Sequence, residues 1–391
     1  MVPLKYVVIG ASAASIAFMN KIARLDPSAQ ITCVSQENEL PYNKCFLADY
    51  CAGSKQEQEV LLNTTYLSTR VTWLLDTSVV RIDVHNKAII TAAGLLVSYD
   101  TLFLGMGSSP FIPNCVSDRS AIYTFHTLQD TNNLLAAIKD RNAKSALIVG
   151  AGLSGIECAD ALHKNGVTVT IIEQKDTILP SILDQEAAIF LKNHIIQQGV
   201  TILTNQLIES ISQNGQSISI KKEGRLEADL IVFTTGLRPN SALAKEAGIA
   251  IAANGGVNVD QNLETSFKGV YAGGDLIAIT NTLTGQSNLS CTWPDAMMQG
   301  MCAAQAAFNG SGQPYKGAPI IVNSAFFGLN FAQAGLKRPD TNQVQILKKG
   351  ADFYQSYILE NDQLKGFTVL GNTHDYGQLR RLILTGAKAS F

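Results

Sequence analysis

Gly150, Gly152 and Gly155 form a G-x-G-x-x-G string between a β-rich run, Ala146 to Val149, and a small-residue stretch that reads as loop and helix as far as Asn165. No other feature constrains the fold as tightly. The first glycine permits a tight turn, the second lets the backbone approach a pyrophosphate, and the third lets the helix pack close to the strand. The helix N-terminus offers unpaired N–H groups and a partial positive charge to phosphate oxygens. The next β-rich run, Val167 to Ile172, leads into Glu173, eighteen residues after Gly155. A carboxylate there accepts hydrogen bonds from a ribose 2′-hydroxyl. It also repels a 2′-phosphate, so NADH is expected in preference to NADPH.

The same grammar stands earlier in the chain. Lys5 to Ile9 is β-rich, Ala11 to Leu25 is helical in texture, and Gln30 to Ser35 is β-rich again. Its loop reads Gly10-Ala11-Ser12-Ala13-Ala14-Ser15, with serines in place of the second and third glycines. Serine is small enough to preserve a close approach, and its hydroxyl can donate to a phosphate. The acid is displaced as well: Ser35 occupies the expected position and Glu37 follows two residues later. Glu37 is assigned the ribose contact, with Ser35 as the alternative. Two βαβ units imply parallel sheets covered on both faces, hence an α/β chain.

Between the units, Val71 to Thr91 and Tyr99 to Gly107 read as short strands, and Ser108 to Asn114 as a linker. Ala228 to Thr234 is a strand ending near Gly236, and Pro239-Asn240 marks a second crossing between domains. Val270 to Ala272 is a strand running into Gly273-Gly274-Asp275, and Asp295 to Ala307 is helical. Beyond Pro314 the texture becomes alternating: Ile320 to Val322, Val344 to Leu347, Tyr354 to Leu359 and Lys365 to Leu370 read as strands of a small α+β appendage.

Composition narrows the function classes. The chain has 391 residues, room for two or three domains of roughly 100–200 residues each. Its net charge of −2 leaves no electrostatic footprint for nucleic acid or an anionic membrane. No apolar run approaches the ~20 residues of a membrane span, and the first residues lack the shape of a signal peptide. Seven cysteines without a CxxC pair, and five histidines without HExxH, give no metal site and fit a reducing cytoplasm.

Several ordered motifs now resemble one family. Tyr99-Asp100-Thr101-Leu102 through Gly107 is similar to its first domain crossing, and Thr235-Gly236-Leu237-Arg238-Pro239-Asn240 to its second. Val270 through Asp275 is similar to its late FAD motif. The chain resembles the FAD-dependent pyridine nucleotide-disulfide oxidoreductase superfamily over nearly its whole length. The resemblance implies two Rossmann-like dinucleotide-binding domains, a discontinuous FAD domain (1–116 and 240–315) and an inserted NAD domain (117–239), plus a small C-terminal α+β domain (316–391). It places Gly10, Ser12, Ser15, Glu37, Lys44, Val79, Gly107, Asp275 and Trp293 at FAD, with Asp275 on the ribityl chain. It places Gly150, Gly152, Gly155, Glu173 and Gly236 with the nicotinamide nucleotide. The helix after Trp293-Pro294 would aim its N-terminus at the flavin pyrimidine, stabilising an anionic reduced flavin; Trp293 serves that site or interdomain packing.

Within the superfamily, Leu40 to Leu47 with Ala52-Gly53 is similar to the flavin loop of NADH:rubredoxin reductases and of assimilatory nitrite reductases, and Phe353 to Gly371 to their small C-terminal domain. Carried over, Lys44 tunes the isoalloxazine, and Glu157 points at the flavin–nicotinamide junction. The basic residue that often pairs with this glutamate is replaced here by Asp49. The expected activity is FAD-dependent transfer of electrons from NADH to a small redox protein or a small-molecule acceptor, by a homodimer.

Cys45 opens an alternative. It matches the single redox cysteine of NADH oxidases, NADH peroxidases and CoA-disulfide reductases, where Lys44 would favour its thiolate. The other reading is a packing residue, because that place in the rubredoxin-reductase loop is commonly proline. Five residues separate Cys45 from Cys51, and His374-Asp375 has the wrong spacing for a base pair, so dithiol chemistry is not expected. Cys33 and Cys158 are expected in the core. A non-enzymatic flavin-binding redox sensor is a third possibility, suggested by the altered first loop and Asp49.

Overall fold

The computed structural model describes residues 3–389 other than 117, 213, 223, 284, 286, 290 and 291. It divides into two compact units. The first gathers residues 1–45, 57–109 and 238–318; the second gathers 46–56, 110–237 and 319–391. The three-domain division at 116, 240 and 315 is a finer proposal than these two units.

The first unit is built on a five-stranded parallel sheet in the order Val270–Ala272, Thr101–Leu104, Lys5–Ile9, Gln30–Val34, Val71–Leu74. The central strand is β-branched and buried on both faces, which is why Tyr6 to Ile9 all read as core. The helix Ala13–Leu25 starts two residues later than the sequence suggests, because Gly10 turns at φ 92° and Ser12 is still extended. Phe18 from this helix stacks on Phe103 of the neighbouring strand, ring centroids 4.5 Å apart. Full burial of such a ring contributes about 2–3 kcal/mol. A second helix, Trp293–Asn309, lies against the first at glycine distance: a Cβ on Gly300 would come within 2.0 Å of the Ala14 carbonyl oxygen.

The second unit repeats the plan. Its parallel sheet runs Thr201–Leu203, Thr168–Ile172, Ser145–Val149, Leu230–Phe233, Tyr123–Thr124, with the helix Leu153–Lys164 after the central strand. A helix the sequence pass did not single out, Leu128–Asp140, begins at a capping box in which Thr127 and Asp130 satisfy one another's backbone N–H groups. The C-terminal part is a five-stranded antiparallel sheet, Ile321–Phe326, Leu329–Gly335, Gln363–Leu370, Tyr354–Glu360, Val344–Lys349. Two of its elements were not read from the sequence. Leu329–Gly335 carries no β-branched residue, and the helix Tyr376–Thr385 holds Gly377 in its first turn. No described helix is long and apolar enough to cross a membrane.

Candidate functional site

Each unit carries one strand–loop–helix cradle, and the two share a geometry. In the second unit Gly150 has φ 108°, and its N–H donates to the Ile172 carbonyl at 2.8 Å. A Cβ on Gly150 would stand 2.6 Å from the Thr234 carbonyl oxygen, and one on Gly155 would stand 2.0 Å from the Gly150 oxygen. Gly152 is different: nothing lies within 4 Å of its would-be Cβ. The loop therefore presents open backbone there, at the start of a helix whose N-cap position, Gly152, supplies no side-chain cap. Uncapped N–H groups at the end of a twelve-residue helix suit a pyrophosphate. Glu173 sits partly buried beside this loop. Its Oε2 accepts the Ala151 N–H at 2.8 Å and its Oε1 accepts the Lys175 N–H at 2.8 Å, so the acid also ties strand end to loop.

The first unit reproduces the cradle with a different division of space. Gly10 donates to the Val34 carbonyl at 2.8 Å, and its Cβ would meet the Gly105 oxygen at 2.3 Å. Ser15 takes the place of the third glycine, and its buried hydroxyl lies against Gly105, whose own Cβ would stand 2.1 Å from Ser15 Oγ. In the second unit the bulk is on the other side: Gly155 on the helix faces Thr234 at the strand end. One small residue of each facing pair is enough to let the helix close on the sheet. Ser15 Oγ thus serves close packing, and it has no hydrogen-bond partner among the described residues. Ser12 occupies the N-cap position without a side-chain cap, leaving this helix end open as well.

Around that first cradle the structure brings together Glu37, Lys44 and Asp275. Tyr42 Oη donates to Glu37 Oε2 at 2.6 Å, and Lys44 Nζ lies 4.0 Å from Glu37 Oε1. Asp275 follows Gly274, which needs its glycine at φ 74°. Burial pushes the Asp275 carboxyl up to about 6; the hydrogen bond from Ser108 Oγ, 3.1 Å, and the Lys44 charge pull it back, and Asp295 adds to the rise. A buried carboxylate with one hydroxyl donor at hand is suited to further donors such as those of a polyol chain. The cradle, the open helix end and Asp275 fit FAD. Gly107 is anchored through its carbonyl to the Asn240 N–H at 3.0 Å. Val79 and Trp293 are partly buried against the hydrophobic core of this unit.

Sequence reading missed the polar network behind Asp275. Gly274 N–H donates to Gln299 Oε1 at 2.7 Å, Gln299 Nε2 donates to Asp295 Oδ2 at 2.9 Å, and Tyr315 Oη donates to Asp295 Oδ1 at 2.7 Å. Gln299 is fully buried, so this chain of bonds fixes the Gly274–Asp275 turn from below. The only local signal was two polar residues one turn apart on a helix otherwise rich in alanine and methionine.

Glu157 lies in the second unit, one turn into the helix that starts at Gly152. Burial pushes its carboxyl up to about 7; Ser324 Oγ donates to Oε1 at 3.1 Å and opposes this, while the Asp49 and Asp160 charges reinforce it. Asp49, which stands where a basic partner was looked for, therefore disfavours the charged form of Glu157. Gly236, φ 107°, accepts the Phe111 N–H at 2.8 Å in the same unit. Cys45 is exposed; Cys33 and Cys158 are buried as expected. Cys291 lies outside the described residues. Among the described residues no cluster of three His, Cys, Asp or Glu is arranged to hold a metal ion.

Comparison with known proteins agrees with this geometry. The chain is 28% identical over 332 residues to an NADH oxidase of Methanocaldococcus jannaschii, covering 82% of this chain and 73% of that one. It is 28% identical to the assimilatory nitrate reductase electron transfer subunit of Bacillus subtilis, covering 96% of this chain but spanning only 48% of the relative. Its fold matches the NAD-dependent persulfide reductase from A. fulgidus with a TM-score of 0.91 at 24% identity, over 98% of this chain and 77% of that one. The family described as pyridine nucleotide-disulphide oxidoreductase matches residues 4–305, and the chain belongs to it, an oxidoreductase that works with FAD and NADH.

Proposed function

We propose that the chain takes electrons from NADH and delivers them to a small redox protein or a similar small acceptor. The observation that carries this reading is the pair of matching cradles, one in each unit, each with an uncapped helix end and a strand-end acid nearby. Bound FAD would supply the hydride-accepting and electron-releasing chemistry. Gly10, Ser12 and the helix end behind them would hold its pyrophosphate, Glu37 its ribose and Asp275 its ribityl hydroxyls. The Gln299 network keeps Asp275 in place, and Lys44 sets the positive charge near it. Gly150, Gly152 and Glu173 would hold the nucleotide donor. A reducing, cytoplasmic setting is part of the same proposal. The proposal includes a homodimer, to be read from the mass in solution by light scattering.

The test is an acceptor panel. Purified protein should be yellow, release FAD rather than FMN on denaturation, and lose its yellow colour when NADH is added anaerobically. Steady-state NADH consumption is then compared across a rubredoxin, dioxygen, peroxide and CoA disulfide. Fastest turnover with the redox protein supports the proposal. Colourless protein that cannot be reconstituted with FAD would sink it.

One observation favours a second reading, in which acceptors are reduced through Cys45. Its thiol is exposed and follows Lys44 directly, so an acceptor can reach it and a nearby cation can favour the thiolate. Cys45→Ser separates the two. If Cys45 is a redox group, turnover with peroxide or CoA disulfide should fall at least ~100-fold, the order seen when an activated nucleophile is removed. Reduction by NADH should continue. If all acceptor rates stay within a few-fold, the oxidase, peroxidase and CoA-disulfide reading is wrong.

A further inference from the structure

The C-terminal sheet reaches the helix that carries Glu157. In its outer strand, Ile321–Phe326, Asn323 and Ala325 are exposed, whereas Ser324 is half-buried and Phe326 is buried. Alternation therefore puts Ser324 and Phe326 on the inward face. Ser324 Oγ donates to Glu157 Oε1 at 3.1 Å. The strand runs into Phe327, buried and in left-handed backbone at φ 51°, followed by Gly328 at φ 79°. Two histidines hold that turn: His194 Nε2 donates to the Phe327 carbonyl at 3.0 Å, and the His163 ring packs on the Phe327 ring, centroids 5.6 Å apart. Ser324 and Phe327 thus both meet the helix Leu153–Lys164. Glu157 and His163 are six residues apart, about 9 Å along a helix. Ser324 and Phe327 are three apart, about 10 Å along a strand. The match lets the anchored turn set the height at which Ser324 meets Glu157.

Glu157 stands five residues beyond Gly152, about 7–8 Å along the axis from the open helix end. Its one hydrogen bond among the described residues is the one from Ser324, and Oε2 has none. The charges that press on it are acidic: Asp49 from the helix Leu47–Cys51, and Asp160 three residues on, itself paired with Lys164 at 3.0 Å. The buried Cys158 thiol adjoins it. A carboxylate among like charges turns to solvent unless a donor holds one of its oxygens. We propose that the C-terminal sheet forms part of the NADH site through Ser324, a positioning residue that holds Glu157 Oε1 and so turns Oε2 to the bound nucleotide. The proposal rests on NADH occupying the Gly150 cradle. A serine hydroxyl suits both states of the acid, donating to the carboxylate and accepting from the carboxylic acid. Donation to the charged form is the stronger bond, so Ser324 favours ionised Glu157.

Ser324→Ala, alone and with Glu157→Gln, separates positioning from packing. Loss of a hydrogen bond to a charged group is worth about tenfold, so the Glu157 carboxyl should rise from about 7 to about 8. In denaturant unfolding, Ser324→Ala should therefore cost about tenfold more in the unfolding constant at about pH 9 than at about pH 6. Ser324→Thr, which keeps the hydroxyl, should follow the wild type. In the Glu157→Gln background the cost of Ser324→Ala should be equal at the two pH values. Should Ser324→Ala fail to fold, Ser324→Cys, similar in size and a weak donor, is read the same way. The nucleotide is followed by calorimetric titration of the FAD-loaded protein with tetrahydro-NADH, a donor analogue that cannot give up hydride. Its affinity should inflect near pH 7 in the wild type and near about pH 8 in Ser324→Ala. A Ser324→Ala cost that is the same at both pH values, or an inflection that does not move, overturns the proposal. An analogue that binds the wild type equally at every pH overturns the positioning role and leaves the cradle standing. An analogue that does not bind at all overturns the NADH reading of the cradle, and the proposal with it.

Discussion

Alanine at Gly155 is expected to cripple the NADH half of the reaction, whereas alanine at Gly152 should leave the fold intact and weaken nucleotide binding alone. The two glycines are three residues apart in one motif, yet they meet different surroundings. A Cβ at 155 would lie 2.0 Å from the Gly150 oxygen and 2.8 Å from Thr234 Oγ1, both held in place by the hydrogen bond between them, 3.0 Å. Neither is the free end of a flexible side chain, so the helix Leu153–Lys164 must shift. Overpacking of this kind costs about 1–3 kcal/mol. A helix start displaced by even an ångström misplaces the nucleotide and lowers its reaction rate by about a hundredfold. Gly152 has an ordinary φ of −76° and empty space in front of it, so alanine there should cost at most about 1 kcal/mol, the loss of a favourable N-cap residue. Its methyl group would stand in the path of the pyrophosphate and should weaken NADH by at least about tenfold, as one lost hydrogen bond to a charged group does. Thermal unfolding and anaerobic NADH titration of the two variants check this. Retention of FAD by both is expected, because its cradle belongs to the other unit. If Gly152→Ala binds NADH like the wild type, the pyrophosphate does not lie at this loop.

The contrast between the two cradles also shows how far the sequence could be read. The strong fingerprint was legible because every requirement of the turn falls within six consecutive residues. The weak one looked degraded because half of its solution lies about ninety residues away, at Gly105, which gives up the space that Ser15 occupies. A local motif cannot show a compensation made by a neighbouring strand. The same holds for Asp275. Its motif announced a functional carboxylate, but the Gln299–Asp295–Tyr315 network that fixes it depends on a helix packed at glycine distance, Gly300 against Ala14. For Cys45 the sequence left two readings open, a redox thiol or a packing residue, and its exposure is set by the fold rather than by its residue type, which is usually buried. In the C-terminal sheet, alternation found the strands rich in β-branched and aromatic residues and missed Leu329–Gly335, whose pairing on both sides supplies what its composition does not.

The carboxyl of Glu157 sets up the second large effect, and its sign follows from the direction of the shift. Its ordinary value of 4.5 is pushed up to about 7 by burial, with Asp49 and Asp160 adding to it and the Ser324 hydrogen bond working against it. Below pH 4.5 the group is protonated in both folded and unfolded chains and costs nothing. Between 4.5 and 7 the unfolded chain ionises while the folded one does not, so stability is lost as pH rises through this window. Above 7 the loss is complete and amounts to at most about 3 kcal/mol, because Glu157 keeps some contact with solvent. Glu157→Gln removes the titration and keeps an oxygen able to accept the Ser324 hydroxyl. The variant should therefore match the wild type near pH 4.5 and exceed it in stability by up to about 3 kcal/mol at pH 8, with the gap opening across that interval. Denaturant unfolding at several pH values reads this directly. NADH affinity provides a second readout: if Glu157 faces the bound nucleotide, wild-type affinity should inflect near pH 7 and the variant's should not. A Glu157→Gln protein whose stability tracks the wild type at every pH would mean that the carboxyl titrates in the folded chain as it does in the unfolded one, and that burial, Asp49 and Asp160 do not press on it.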